Sequence, residues 1–267
     1  MEYIKAFILA VVQGLTEWLP ISSTAHLLII DELIKLSGSD AFKSLFMVII
    51  QLGSILAVLV VYFNTLWPFK KDREETKRSF SLWFKIAVAS IPAMIAGLLL
   101  DDLMDKYLNK WYVIAFALAF YGLAYILLER DPDKRVAKYK EVEDISYKKA
   151  FQLGVFLALA IIPGTSRSGS TILGGILLGL SRELAAKFSF FMAIPVMLGA
   201  VLLRLLKHMS SISQVEWQLI IFGTLISFAV SLLVIKAFVR YVRRHSFSIF
   251  GVYRLVLALL IVFAFAF

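Results

Sequence analysis

The chain has 267 residues, of which 60% are hydrophobic and only 18% charged, with a mean hydropathy of +0.84. Soluble domains run nearer about 45–50% apolar and about 25% charged, so the composition excludes an ordinary soluble enzyme, a disordered chain and a disulfide-stapled module. The net charge of +9, from 28 Lys and Arg against 19 Asp and Glu, reads at this hydropathy as loop charge obeying the positive-inside rule rather than as a nucleic-acid surface; the absence of cysteine excludes thiol chemistry and Cys-ligated metal.

A membrane-crossing helix needs about 20 mostly apolar residues. The first apolar region, Ala6 to Leu33, is cut by QGLTEWLPISSTAH, and its halves of roughly 10–14 residues suit a re-entrant hairpin better than a span. Lys5 ahead of a short apolar run mimics a secretory leader, but no small-residue cleavage site follows and polar residues invade the run, so the segment is expected in the mature protein. Three predicted spans follow: Ser44 to Phe63, Phe80 to Leu100 and Trp111 to Leu128. The second interrupted region, Ala150 to Leu180, is cut by PGTSRSGST, and three more spans follow it: Leu184 to Leu206, Trp217 to Val239 and Phe247 to Phe267. Pro92 and Pro195 are expected to kink two spans. Trp67, Trp83, Trp111 and Trp217 suit interface belts.

The predicted fold is therefore an all-α polytopic membrane protein of six transmembrane helices plus two re-entrant helix hairpins. Alternating the spans places 18 Lys and Arg on one side, five between Asn64 and Ser79, seven between Glu129 and Lys149, four between Lys236 and His245, plus Arg182 and Lys187. The other side collects seven, Lys5, Lys35, Lys43, Lys106, Lys110, Arg204 and Lys207, and Lys85, Arg167 and Arg254 fall within apolar segments. The bias puts both termini outside, with Arg204 and Lys207 as its awkward members. Hairpin plus three spans occurs twice, so the chain reads as one integral membrane domain with repeats at about 1–130 and about 148–267. Lys5-Ala6-Phe7 echoes Lys149-Ala150-Phe151, and Leu19-Pro20 before Ser22-Ser23 echoes Ile162-Pro163 before Thr165-Ser166. Three spans is an odd number, so the copies are inverted, with the two hairpin tips expected to meet inside the membrane.

Those tips hold nearly all the intramembrane polar chemistry. In the first, Gln13 and Glu17 are four apart and share a helix face. Pro20 is expected to end that helix, and Ser22 or Ser23 to cap the next. Thr24 and His26 lie in that helix's first turn, so hydroxyl, imidazole and carboxylate gather as the parts of an activated nucleophile. In the second, Gly164 and Gly169 allow close backbone approach, and Thr165, Ser166, Ser168, Ser170 and Thr171 surround Arg167, whose planar fork suits phosphate at a helix start. An arginine this deep is costly and should face a cavity or an anion. Blander roles stay open: a structural Glu17–Arg167 salt bridge, His26 as a satisfied polar residue between helices, and hydroxyls bonded back to carbonyls. Gln51 and Ser54 are candidates for cavity lining or helix–helix bonding.

The stretches QGLTEWLPISSTAH, PGTSRSGST and IQLGSILAV (Ile50 to Val58) resemble motifs of the BacA-type undecaprenyl-diphosphate phosphatases, and the likeness runs along essentially the whole chain. It implies hydrolysis of undecaprenyl diphosphate to the monophosphate and phosphate in the bacterial inner membrane, recycling the lipid carrier for peptidoglycan synthesis and conferring resistance to bacitracin, which sequesters that diphosphate. It also implies two re-entrant helix pairs in inverted repeats, a homodimer in many members, a site open to the extracytoplasmic side and stimulation by Mg²⁺ or Ca²⁺. Carried over by motif, Ser23 is the nucleophile, His26 its base, acid or orienting group with Glu17 behind it, and Ser166 and Arg167 hold the phosphates. Gln13, Ser22, Thr24, Gly164, Thr165, Ser168 and Thr171 complete the expected binding set. Many members have Glu where this chain has Gln13, which leaves Glu17 as the candidate metal ligand; a diphosphate brings its own divalent ion, so one or two carboxylates suffice. Attack by Ser23, by His26 or by a water held on Glu17 stay open. The rival classes are a transporter or flippase of a lipid-linked anion, which the inverted repeat also suits, and a non-catalytic membrane scaffold.

Overall fold

The computed structural model describes residues 1–103, 107–108, 110–130 and 136–266, with 101–103 described by backbone alone. The described chain is built from α1 (Glu2–Thr16), α2 (Ser23–Ile34), α3 (Asp40–Val61), α4 (Phe63–Leu66), α5 (Arg73–Leu103), α6 (Trp111–Leu128), α7 (Tyr147–Leu159), α8 (Arg167–Leu177), α9 (Arg182–His208), α10 (Gln214–Val242) and α11 (Ser248–Ala266). Among the described residues the only β pairing is an isolated bridge between Tyr139 and Leu180.

Six of these helices, α3, α5, α6, α9, α10 and α11, are long and apolar enough to cross a membrane, and they coincide with the six predicted spans. They extend past the apolar runs where solvated turns support a helix. α5 begins at Arg73 rather than Phe80, its extra turns carrying a Lys77–Glu74 ion pair at 2.7 Å. α10 begins at Gln214 because Ser213 and Glu216 form a reciprocal capping box. Pro92 and Pro195 lie inside α5 and α9, which continue through them. Lys106, residues 131–135 of the second basic loop, and Phe267 lie outside the described residues.

The four helices of the interrupted regions have 15, 12, 13 and 11 residues. At 1.5 Å per residue they reach about 16–22 Å, short of a hydrocarbon layer of about 30 Å. Serine hydroxyls start six of the described helices, α2, α3, α7, α8, α9 and α10: Ser22, Ser39, Ser146, Ser166, Ser181 and Ser213 each accept from an amide of the first turn.

Packing relates the two halves. α1 lies on α10 as α7 lies on α5, while α6 pairs with α11 and α3 with α9. Exchanging the halves maps the first two contacts onto each other and the last two onto themselves. α6 and α11 cross so closely that a Cβ on Gly122 would lie 2.8 Å from the Gly251 carbonyl. Of the two polar residues inside the predicted span of α3 that were candidates for cavity lining, Ser54 bonds across to α10 through Ser227 and Ser231, both at 2.9 Å, whereas Gln51 donates to Met47 O of its own helix. Two cations on the long helices fasten neighbouring elements: Lys85 of α5 donates to the carbonyls of Val142 and Glu143 at 3.0 and 3.1 Å, and Arg204 of α9 bonds Ser44 of α3.

Candidate active site

The two polar turns between the short helices come together. α1 ends at Thr16, four residues before Pro20, where the sequence placed its end. Leu19 precedes a proline and is disfavoured in the α conformation, so Glu17 to Ile21 form a turn. Ser22 then caps α2 at φ 72°, and Ser166 caps α8 at φ 69°. A left-handed backbone at a non-glycine residue costs on the order of 1–3 kcal/mol and persists only where surrounding contacts hold it. The shared torsion pairs Ser22 with Ser166. Sequence comparison instead matched Ser22-Ser23 to Thr165-Ser166; the second turn has one more residue between its proline and its cap.

Glu17, 7% exposed, is the hub. Its Oε2 accepts from Gln13 Nε2 at 2.7 Å and from the Ser23 hydroxyl at 2.8 Å. Its Oε1 accepts from Arg167 Nη2 at 3.2 Å. Arg167 is held further by Nη1 donating to Ser189 O at 3.0 Å and by the Trp18 ring 5.0 Å away. Thr171 fixes the same corner, bonding Arg167 O at 2.7 Å and Ser189 Oγ at 2.6 Å. Three buried polar atoms here have no partner among the described residues: Gln13 Oε1, Trp18 Nε1 and Arg167 Nε.

His26 is turned elsewhere. Its Nδ1 lies 2.7 Å from Ser22 O and its Nε2 2.7 Å from the Tyr253 hydroxyl, with the two rings stacked. A carbonyl partner requires the proton on Nδ1, so in the neutral ring Nε2 accepts from Tyr253. The sequence placed the imidazole beside Ser23; in the fold the Ser23 hydroxyl instead bonds the Glu17 carboxylate.

A cavity of about 230 Å³ opens over this network, lined by Glu17, Ser22, Ser23, Thr24, Gln51, Gly164, Ser166 and Arg167 with the 160–163 turn and Met197. At about 30 Å³ per water volume it has room for a small anionic head group and none for a long lipid chain. The first residues of α2 and α8 both face it, so two helix dipoles present their positive ends to one space. A larger groove of about 860 Å³ lies elsewhere, around the Arg182–Glu129 and Arg243–Glu183 ion pairs.

Several expected phosphate ligands do not line the cavity. Gln13 is fully buried and orients Glu17. Ser168 joins the turns, donating to Leu19 O at 2.8 Å and Glu17 O at 3.3 Å. Thr171 supports Arg167, and Thr165 is buried with its carbonyl on Arg254. Helical spacing marks a residue's face on its own helix, not which neighbour that face meets. Residues missed by the sequence reading include Ser189, Trp18, Tyr253 and Arg254. Only Arg254 carried a usable signal, a cation inside a predicted span.

Among the described residues no three His, Cys, Asp or Glu gather as a metal cluster. The site offers one carboxylate, Glu17, and beside it the unpartnered Gln13 Oε1. Such a pair fits a hard divalent ion only if substrate oxygens and water complete its shell.

Six helices long and apolar enough to cross a membrane, around a buried hydroxyl–carboxylate–arginine network under two helix starts, define a multi-pass membrane protein. The chain belongs to the family described as bacitracin resistance protein BacA, whose pattern matches residues 6–260. It is 48% identical over 265 residues to an undecaprenyl-diphosphatase of Enterococcus faecalis, covering 98% of this chain and 96% of that one. It is 48% identical over 263 residues to undecaprenyl-diphosphatase 1 of Clostridioides difficile (98% and 95% covered). It is 45% identical over 267 residues to an undecaprenyl-diphosphatase of Acetivibrio thermocellus (99% and 98% covered).

Proposed function

We infer that the protein is an integral membrane phosphatase that hydrolyses undecaprenyl diphosphate to undecaprenyl phosphate and phosphate, recycling the lipid carrier and conferring bacitracin resistance. The observation that carries this reading is the Ser23 hydroxyl held 2.8 Å from a buried carboxylate that also pairs with Arg167. Transport of a lipid anion needs no such activated hydroxyl. The diphosphate head occupies the cavity and the isoprenoid chain leaves sideways between helices into the bilayer. Ser23 Oγ attacks the terminal phosphorus and its proton passes to Glu17 Oε2. The bond to the bridging oxygen breaks, and undecaprenyl phosphate departs. Water then attacks the phosphoserine, the Glu17 carboxyl returns its proton to the departing Ser23 oxygen, and phosphate leaves carrying the protons of the water. Arg167 and the amides at the starts of α2 and α8 stabilise the charge on the transferred phosphoryl group. Gln13 Oε1 and Glu17 are the residues that would hold a Mg²⁺ or Ca²⁺ entering with the substrate. Such an ion neutralises phosphate charge.

The half-exchange symmetry of the packing, the four short helices and the matched Ser22 and Ser166 caps support the reading of two inverted repeats with re-entrant hairpins. The 18-to-7 charge bias supports termini outside and a site open to the extracytoplasmic face of the bacterial inner membrane. A homodimer is the expected assembly.

The test is phosphate release from a long-chain isoprenyl diphosphate by purified protein in detergent, where transport has no second compartment. It is combined with trapping and mapping of a phosphorylated enzyme. Metal-stimulated release with phosphate on Ser23 is expected. Phosphate on His26 overturns the nucleophile assignment, and no release from folded protein overturns the phosphatase.

A further inference from the structure

Arg254 sits in the second turn of α11 with no exposed surface. Its guanidinium is satisfied by backbone carbonyls. Nη1 donates to Pro20 O at 3.1 Å; Nη2 donates to Gly164 O and Thr165 O, both at 2.9 Å. Longer bonds reach Leu118 O and Ala117 O on α6, and the Tyr121 ring lies 5.5 Å away. Gly169 leaves room for it, since a Cβ there would fall 2.7 Å from Nη1. Burying a cation this way costs several kcal/mol, and an apolar residue of similar volume fills such a space without that cost. What an apolar residue lacks is a planar fork that holds carbonyls from two separate segments at once.

The carbonyls it holds belong to the two catalytic turns. Pro20 stands two residues before the strained Ser22 cap, and Gly164 and Thr165 stand directly before the strained Ser166 cap. No peptide bond here is cis, so each N–H points opposite its C=O. With Thr165 O fixed on Arg254, the Ser166 N–H is turned away from Arg254, at a residue that lines the cavity. Bonds to both turns from one rigid group also set the separation of Ser23 and Glu17 on one turn from Arg167 on the other.

We propose that Arg254 is a positioning residue for the reaction: it clamps the two turns together by their carbonyls, holds their left-handed serine caps, and thereby fixes the spacing between nucleophile and phosphate-binding arginine. For its turnover readout the proposal rests on the phosphatase reading. A distance readout needs no activity.

The chain has no cysteine, so spin labels go on cleanly at Thr24→Cys, on exposed Thr24 of the first turn's helix, and Leu159→Cys, on the exposed last residue of α7. Label-to-label distances are measured by pulsed resonance in otherwise wild-type, Arg254→Lys and Arg254→Gln proteins, and turnover in the unlabelled counterparts. Wild type should give one narrow distribution, Arg254→Gln a broad or shifted one and Arg254→Lys an intermediate. Arg254→Gln should lower kcat about a hundredfold, the scale of an ångström of misplacement, with KM changed less than threefold, and Arg254→Lys should recover about tenfold of that. An Arg254→Gln kcat within threefold of wild type overturns the proposal. So does a kcat loss with an unaltered distance distribution, or equal losses in both variants that merely track thermal stability. If Arg254→Gln does not fold, the Lys variant decides: an unchanged kcat or unchanged distances overturn the clamp. A wild-type protein with a narrow distribution and no phosphate release would overturn the phosphatase reading while leaving the clamp in place.

Discussion

Replacing Glu17 by Gln probes the centre of the network with almost no change of shape. Glu17 accepts three hydrogen bonds, from Gln13, Ser23 and Arg167, at 2.7, 2.8 and 3.2 Å. In the variant the new carbonyl can face Arg167 and the new amide can face Gln13, whose unpartnered Oε1 turns to accept it. Hydrogen bonding is thus largely rebuilt, but Arg167, 12% exposed at its side chain, keeps its charge without a counterion. Leaving one partner of a buried pair alone costs about 3–5 kcal/mol, so a clear fall in Tm is expected. Activity should fall further than stability explains, because the proton acceptor for Ser23 is gone. Loss of a general base costs about 10²- to 10⁴-fold in turnover. The assay is phosphate release from an isoprenyl diphosphate at a temperature where the variant is folded. The double variant Glu17→Gln with Arg167→Met should regain Tm, having no unpaired charge, and stay inactive. A Glu17→Gln enzyme within about tenfold of wild-type kcat would refute Glu17 as the base.

Gln13→Glu places a second carboxylate beside Glu17; the Mg²⁺ or Ca²⁺ concentration for half-maximal activity should fall by about tenfold, on the oxygen-ligand preference of such ions, and an unchanged metal titration counts against the Gln13–Glu17 pair as the ion's protein ligands. Gly53→Ala drives a Cβ into the Thr224 carbonyl where α3 meets α10, so thermal unfolding should show a loss of about 1–3 kcal/mol or more; a neutral result would mean the helices pack further apart. Tyr253→Phe removes the hydroxyl on His26 Nε2 but leaves the Ser23–Glu17 bond intact, so kcat should change less than about tenfold, the scale of one neutral hydrogen bond. A loss as deep as that of Ser23→Ala would place the His26–Tyr253 pair in the proton transfer itself.

Much of this protein was legible in the amino-acid order. The six spans follow from runs of apolar residues long enough for a bilayer, and Trp111–Leu128 matches its helix end to end. The short helices follow from polar interruptions that no crossing helix tolerates. Glu17, Ser23 and Arg167 were visible as costly polar groups at those interruptions, and their motifs carried the family. What the order could not supply was the partner of each group. Periodicity fixes where a side chain points about its own helix axis. The neighbour it meets depends on helix crossings and on torsions at single turn residues. Thus the hydroxyl of Ser23 meets Glu17 and not His26, because the Ser22 cap at φ 72° and the stack on Tyr253 carry the imidazole away. Ser168 and Thr171 turn inward to hold the turns and Arg167, while Ser22, Ser23, Thr24 and Ser166 face the cavity. Arg254 reaches both turns from a helix more than 85 residues further along the chain; that meeting is made by the packing of α11 on α6, which no local pattern encodes.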